Sequence, residues 1–174
     1  MIEIKNIYKK FGKLEVLNNI NLSFKKGECI ALIGPNGCGK TTLIKSILGM
    51  VIPTKGDILF DQKSILKEFE YRENIGYMPQ IGRYPDYMTV GQIIEMIKKI
   101  RNSEQVLDED LIKSFELEKI VDKQMRTLSG GTTQKVSATL AFLFNPEVLI
   151  LDEPTAGLDP LASEILKDKI IKEK

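Results

Sequence analysis

Apolar and polar residues alternate at the start of the chain: Ile2 and Ile4 against Glu3 and Lys5, then Ile20, Leu22 and Phe24 against Asn21, Ser23 and Lys25. A period of two sets one face on a core and predicts half-buried strands in both stretches. Cys29-Ile30-Ala31-Leu32-Ile33 is continuously apolar, which predicts a strand buried on both faces. A glycine-rich stretch follows at 34–39. A helix is then predicted over 40–48, stopped by Gly49 and Pro53. Residues 57–60 and 74–78 predict two further strands.

After Gln80 the period changes. Val90, Ile93, Ile94, Ile97 and Ile100 recur at helical spacing, with Thr89 placed to cap. A second helix is predicted over 108–117, with Leu111, Ile112 and Phe115 on one face. A third starts at Ser129, turns Val136, Leu140, Leu143 and Phe144 inward, and ends at Asn145-Pro146. Val148-Leu149-Ile150-Leu151 is another apolar run, read as a strand buried on both faces. Residues 161–174 are helical by Leu161, Ile165 and Ile170. The pattern is an α/β core interrupted by a helical insert.

The 174 residues suit one domain of ordinary size, and the composition (43% hydrophobic, 28% charged) is that of a globular chain. Lys+Arg is 25 and Asp+Glu is 24, so the basic excess of a nucleic-acid binder is missing and no direct nucleic-acid partner is expected. Histidine is absent, which excludes histidine bases, serine–histidine triads and most zinc sites within this chain. The two cysteines, Cys29 and Cys38, have no further Cys or His to complete a metal set. With no signal-like N-terminus and no apolar run near the ~20 residues that span a bilayer, a cytoplasmic protein is expected.

Two stretches carry recognisable chemistry. Gly34-Pro35-Asn36-Gly37-Cys38-Gly39-Lys40-Thr41 fits the phosphate-loop pattern, with Thr42 next in the helix. Its glycines let successive N–H groups converge on one anion, and the following helix adds its dipole. Lys40 can reach the β- and γ-phosphates, and the Thr41 hydroxyl can hold Mg²⁺. At the end of the apolar run 148–151 stand Asp152 and Glu153. Asp152 is placed to hold Mg²⁺ or its water shell, and Glu153 to activate or orient an attacking water. A third stretch, Leu128-Ser129-Gly130-Gly131-Thr132-Thr133-Gln134-Lys135, reads either as a serine cap with a glycine turn or as a helix start left bare to grip an anion.

In this order the three motifs resemble the nucleotide-binding subunit of an ABC transporter: Walker A at 34–41, signature at 128–135, Walker B at 148–152. The resemblance spans the chain and implies a P-loop NTPase core with an antiparallel β subdomain and an inserted helical subdomain. The core and β subdomain would take 1–80 and 145–174, and the helical subdomain 81–144, all within a single ABC ATPase domain. It implies ATP and Mg²⁺ as ligands, hydrolysis of ATP, and a peripheral place on the cytoplasmic face of a membrane, where permease subunits are the partners. It also implies a head-to-tail pair of nucleotide-binding subunits, in which Ser129, Gly130 and Gly131 meet the γ-phosphate of the partner's nucleotide. By the same resemblance Gln80 is the Q-loop glutamine touching Mg²⁺ and water, and Phe11 stacks on adenine. Ala156-Gly157-Leu158-Asp159 is the D-loop at the dimer interface, and the loop 81–87 adjoins the docking groove for the membrane subunit.

The chain departs from the family pattern in two places. Thr132 stands where the signature usually continues with Gln or another polar residue. The switch histidine that follows Walker B is absent, and the chain ends at Lys174. The expectation is therefore a C-terminally truncated cassette that binds ATP but hydrolyses it poorly. The short cassette and its 132–135 ending resemble ATPases that partner ABC-2-type permeases, including the copper-processing transporter associated with nitrous-oxide reductase. The alternative reading is one cassette of a soluble ABC-type ATPase acting on ribosomes or DNA.

Overall fold

The computed structural model describes residues 1–66, 68–101 and 106–173. The chain divides into two compact units, 1–72 and 73–173.

The first unit is built on an antiparallel sheet. Strands β1 (Ile2–Phe11), β2 (Leu14–Phe24), β3 (Lys55–Phe60) and β4 (Lys63–Ser64) lie in the order β2-β1-β3-β4. The alternation at its start holds: Ile2 and Ile4 point inward, with Ile2 paired to Phe24 and Ile4 to Leu22. The register then shifts around Asn6, whose φ is +50°. That extra residue returns Ile7, rather than Asn6, to the buried face. Hydrogen bonds from Asn6 to the side chains of Asn19 and Asn21 close the irregularity. Helix α1 (Lys40–Ile47) buries Leu43, Ser46 and Ile47, and its C-cap is Leu48, as the sequence predicted.

Among the described residues of the first unit, one expected strand has no ladder partner. Residues 29–33 pair with no strand of their unit and are exposed, Ile33 to 90%. The Lys25–Glu28 turn is held by the Glu28 carboxylate accepting from the Lys25 N–H, and it carries the run off the end of β2. Apolarity sets a preference for burial, whereas a ladder also needs a free edge in register.

The second unit centres on a parallel pair, β5 (Ile75–Met78) and β6 (Val148–Leu151), with Met78 opposite Leu151. β6 is half-buried along its length rather than covered on both faces, because β5 is its one ladder partner among the described residues. Helices α2 (Val90–Arg101), α3 (Asp110–Ser114), α4 (Gly130–Phe142) and α5 (Pro160–Lys172) complete the unit around Met78, Val90, Ile93, Val136, Phe142 and Leu166. Thr89 caps α2 reciprocally: its Oγ1 accepts from the Gln92 N–H while Gln92 Oε1 accepts from the Thr89 N–H. The helix expected over 108–117 is cut short, since Glu116 takes a left-handed conformation before a 3₁₀ turn at Leu117–Ile120. Leu111 and Phe115 still face the core. The last expected helix is present from Pro160, and Lys174 lies outside the described residues. Among the described residues no helix is long and apolar enough to cross a membrane.

Candidate functional site

The phosphate loop lies in the first unit. Gly39 is the N-cap of α1 with φ +98°, in the left-handed region, and offers no side chain to the helix. A Cβ there would stand 2.9 Å from the Val16 carbonyl oxygen, so strand β2 fixes glycine at this position as firmly as the backbone angle does. Lys40 Nζ donates to the carbonyls of Gly34 at 2.6 Å and Pro35 at 2.9 Å, drawing the loop around its own cation. Cys38 Sγ lies 3.9 Å from the same ammonium. No acidic residue stands in the first turn of α1, so nothing there opposes an incoming anion. Pro35, Asn36, Gly37, Cys38 and Thr41 are exposed, and Thr42 is half-buried. Phe11 ends β1 on the hairpin that returns through Leu14 to Val16, beneath Gly39. Its ring is half exposed, with the Lys9 ammonium 4.9 Å above it.

The carboxylates lie in the second unit. β5 and β6 run parallel, so their C-terminal ends deliver side chains to one place. The Asp152 N–H donates to the Met78 carbonyl at 2.9 Å, extending the ladder by one rung and leaving Asp152 buried. Glu153 turns out into solvent with φ +53°, and Gln80 Nε2 donates to Glu153 Oε2 at 2.8 Å. Two residues far apart in sequence are thereby in direct contact. Burial, with the Asp152 carboxylate beside it, holds the Tyr77 phenol above its ordinary range. A buried carboxylate, an exposed one and a glutamine amide are hard oxygen donors, the kind a Mg²⁺ ion takes when phosphate and water complete its shell. Among the described residues no group of three or more His, Cys, Asp or Glu could hold a metal by itself.

The signature segment starts α4. Ser129 Oγ accepts from the Thr132 N–H at 3.2 Å and lies 2.8 Å from Thr132 Oγ1. The threonine that departs from the family pattern thus reinforces the cap. Ser129 and Gly130 are exposed. A Cβ on Gly131 would lie 2.7 Å from the Gly157 carbonyl, so the D-loop of the same chain lies against the first turn of α4. Asp159 caps α5 through the Ala162 N–H and pairs with Lys135 at 2.8 Å. The Lys135 hydrogen bond, foremost, holds its carboxyl below the usual range. In the loop 81–87, Tyr84 is bound to Ser137, whereas Ile81 and Tyr87 are largely exposed.

The sequence reading passed over Gln134, Ser137 and Lys135 as partners. A signal was present: polar residues interrupt the otherwise apolar face of a core helix, and buried polar groups pair.

Residues 17–156 match the ABC transporter family. The chain belongs to this family. It is 40% identical over 162 residues to the zinc import ATP-binding protein ZnuC of Rickettsia conorii, covering 91% of this chain and 64% of that protein. It is 36% identical over 166 residues to the sulfate/thiosulfate import ATP-binding protein CysA of Pectobacterium atrosepticum, covering 91% of this chain and 50% of that one. The chain thus spans between half and two thirds of these curated relatives. A dimeric ATP-binding cassette in a post-hydrolysis state, bound to ADP and Pi, superposes with a TM-score of 0.87 at 26% identity, covering 99% of this chain and 82% of the other. The fold is that of an ABC ATPase cassette.

Proposed function

We propose that this ABC-family chain binds and hydrolyses ATP as the nucleotide-binding subunit of a transporter, powering solute movement through partner membrane subunits. The observation that carries this reading is the Gln80–Glu153 contact at the common end of β5 and β6, beside buried Asp152. In this reading ATP binds with its phosphates on the N–H groups from Gly34 to Thr42 and its adenine on Phe11. Lys40 gives up its own loop carbonyls for the β- and γ-phosphate oxygens. By the family resemblance Thr41, Gln80 and Asp152 are the proposed donors to Mg²⁺, which when bound would neutralise phosphate charge. Glu153, oriented by Gln80, accepts a hydrogen bond from the attacking water and takes its proton as the water oxygen bonds to the γ-phosphorus. The bond to the bridging oxygen breaks and ADP leaves.

A second copy is the proposed partner across the nucleotide, contributing Ser129, Gly130 and Gly131 to its γ-phosphate. The exposed helix start at these residues supports that role, as does the dimeric form of the solved cassette. The exposed Ile81 and Tyr87 are proposed as part of the surface that meets a permease, with the subunit peripheral on the cytoplasmic face of the membrane. The relatives' import names favour this reading over a cassette working on ribosomes or DNA. The test is Glu153→Gln in the complete protein. Hydrolysis is expected to fall at least about a hundredfold with ATP binding retained, and a multi-span membrane protein to co-purify with ATP present. Undiminished hydrolysis would overturn the assignment of Glu153, and co-purification of ribosomes instead would overturn the transporter.

A further inference from the structure

The segment that carries Gln80 is fastened to α4 at two points. Gln134 Nε2 donates to the Gln80 carbonyl oxygen at 2.6 Å. One turn along the same face, the Ser137 hydroxyl lies 2.7 Å from the Tyr84 hydroxyl. Between these fastenings Gly82 passes so close to α4 that a Cβ would lie 2.2 Å from Ser137 Oγ. Gln134 and Ser137 are 8% and 1% exposed. Among the described residues Gln134 Oε1 is buried with no hydrogen-bond partner. A buried acceptor left unpaired is costly, and methionine would fill similar space without that cost. What the glutamine offers in return is the bond to Gln80.

We infer that Gln134 is a positioning residue for ATP hydrolysis: by holding the Gln80 main chain, it sets the reach of the Gln80 amide to Glu153. The geometry is a short relay. Ser129, at the tip of α4, and Gln134 are five residues apart, about 7 Å along the axis. Gln134 bonds the Gln80 backbone, and the Gln80 side chain bonds the carboxylate. A displacement of the α4 tip, where the partner's nucleotide is proposed to dock, is carried to Glu153 through two hydrogen bonds. The inference rests on the ATPase reading.

The experiment compares Gln134→Met and Gln134→Glu in the complete protein, beside Glu153→Gln and the unaltered protein, by steady-state hydrolysis, nucleotide affinity and thermal melting. Gln134→Met is expected to melt at or above the unaltered protein, because the orphan acceptor is gone. Its kcat should fall about tenfold or more, with nucleotide affinity within about twofold. Gln134→Glu removes the donor at neutral pH, but its protonated carboxyl can donate to the Gln80 carbonyl. Its kcat deficit relative to the unaltered protein should therefore shrink on acidification. A role in packing alone would give neither the split between melting and kcat nor the acid rescue. If Glu153→Gln abolishes hydrolysis while both Gln134 variants turn over normally, this inference falls and the ATPase reading stands. If the unaltered protein does not hydrolyse ATP, both fall together.

Discussion

Lys135, in the second turn of α4, pairs at 2.8 Å with Asp159, the residue that caps α5. The signature helix and the D-loop are tied at this point, with the contact of Gly131 and Gly157 one turn away. Asp159→Asn keeps an oxygen for the Ala162 N–H but gives up the charge, and Asp159→Ala loses both. The expected order of melting temperature is unaltered, then Asn, then Ala. Because its partners hold the Asp159 carboxyl below its ordinary range, its contribution is present above that range and lost as pH falls through the lowered value. Melting temperature followed from pH 7 to pH 3 should decline less steeply for Asp159→Asn.

The two signature glycines should behave differently on substitution. A Cβ at Gly130 meets nothing within 4 Å among the described residues, and alanine is the better helix former. Gly130→Ala is expected to keep or slightly raise stability, by up to ~1 kcal/mol, while lowering hydrolysis if its backbone meets the partner's phosphate. Gly131→Ala places a methyl against the Gly157 carbonyl and should lower both. Melting and turnover measured together separate the two. Equal stability of the two variants would contradict the tight approach of the D-loop.

Lys169 is buried on α5 among Asp108, Asp110 and Glu173. Burial works against its charge, but hydrogen bonds to the three carboxylates outweigh it and hold the ammonium above its ordinary range. A raised value means that its stabilisation is complete below the unfolded pKa and declines only as pH rises through the folded one, so neutral pH leaves it intact. Lys169→Met should destabilise by about 2 kcal/mol, between the values for exposed and fully buried pairs, because Asp108 is left nearly buried without its cation. Adding Asp108→Leu should restore most of the loss. Denaturant unfolding of the single and double variants reads both effects.

Lys40 both closes its loop and offers the charge proposed to meet phosphate. Lys40→Ala is expected to weaken ATP binding at least about tenfold, with the cost of one or two lost charge-assisted bonds. Titration with a fluorescent nucleotide measures this, and unchanged affinity would remove Lys40 from the site.

Much of this arrangement was legible in the chain. Ser129 and Thr89 announced their helices because a cap is a local signal, read within four residues. Strands β1, β2 and β5 followed from alternation and apolarity. At 29–33 apolarity alone predicted a buried strand, whereas among the described residues of its unit the run, which follows the turn at Glu28, joins no ladder. The same reasoning missed the bulge at Asn6, since a positive φ at asparagine leaves no mark in the hydrophobic pattern. Of the site, the residues at strand ends and loops could be named. The contacts of Gln134 could not, because they join segments brought together by packing alone.

The pairing of Met78 with Leu151 works as a ruler for the carboxylate end of the molecule. Sliding β5 by one residue against β6 would carry Gln80 about 3.3 Å and turn its side chain to the opposite face. The reach from amide to carboxylate is therefore calibrated by the teeth of the ladder together with the bond from Gln134, not by the length of the excursion between the strands. Insertions that leave the 80–84 segment and its bonds to α4 in place are expected not to detune the chemistry, whereas a single residue gained or lost between Ile75 and Gln80 is expected to.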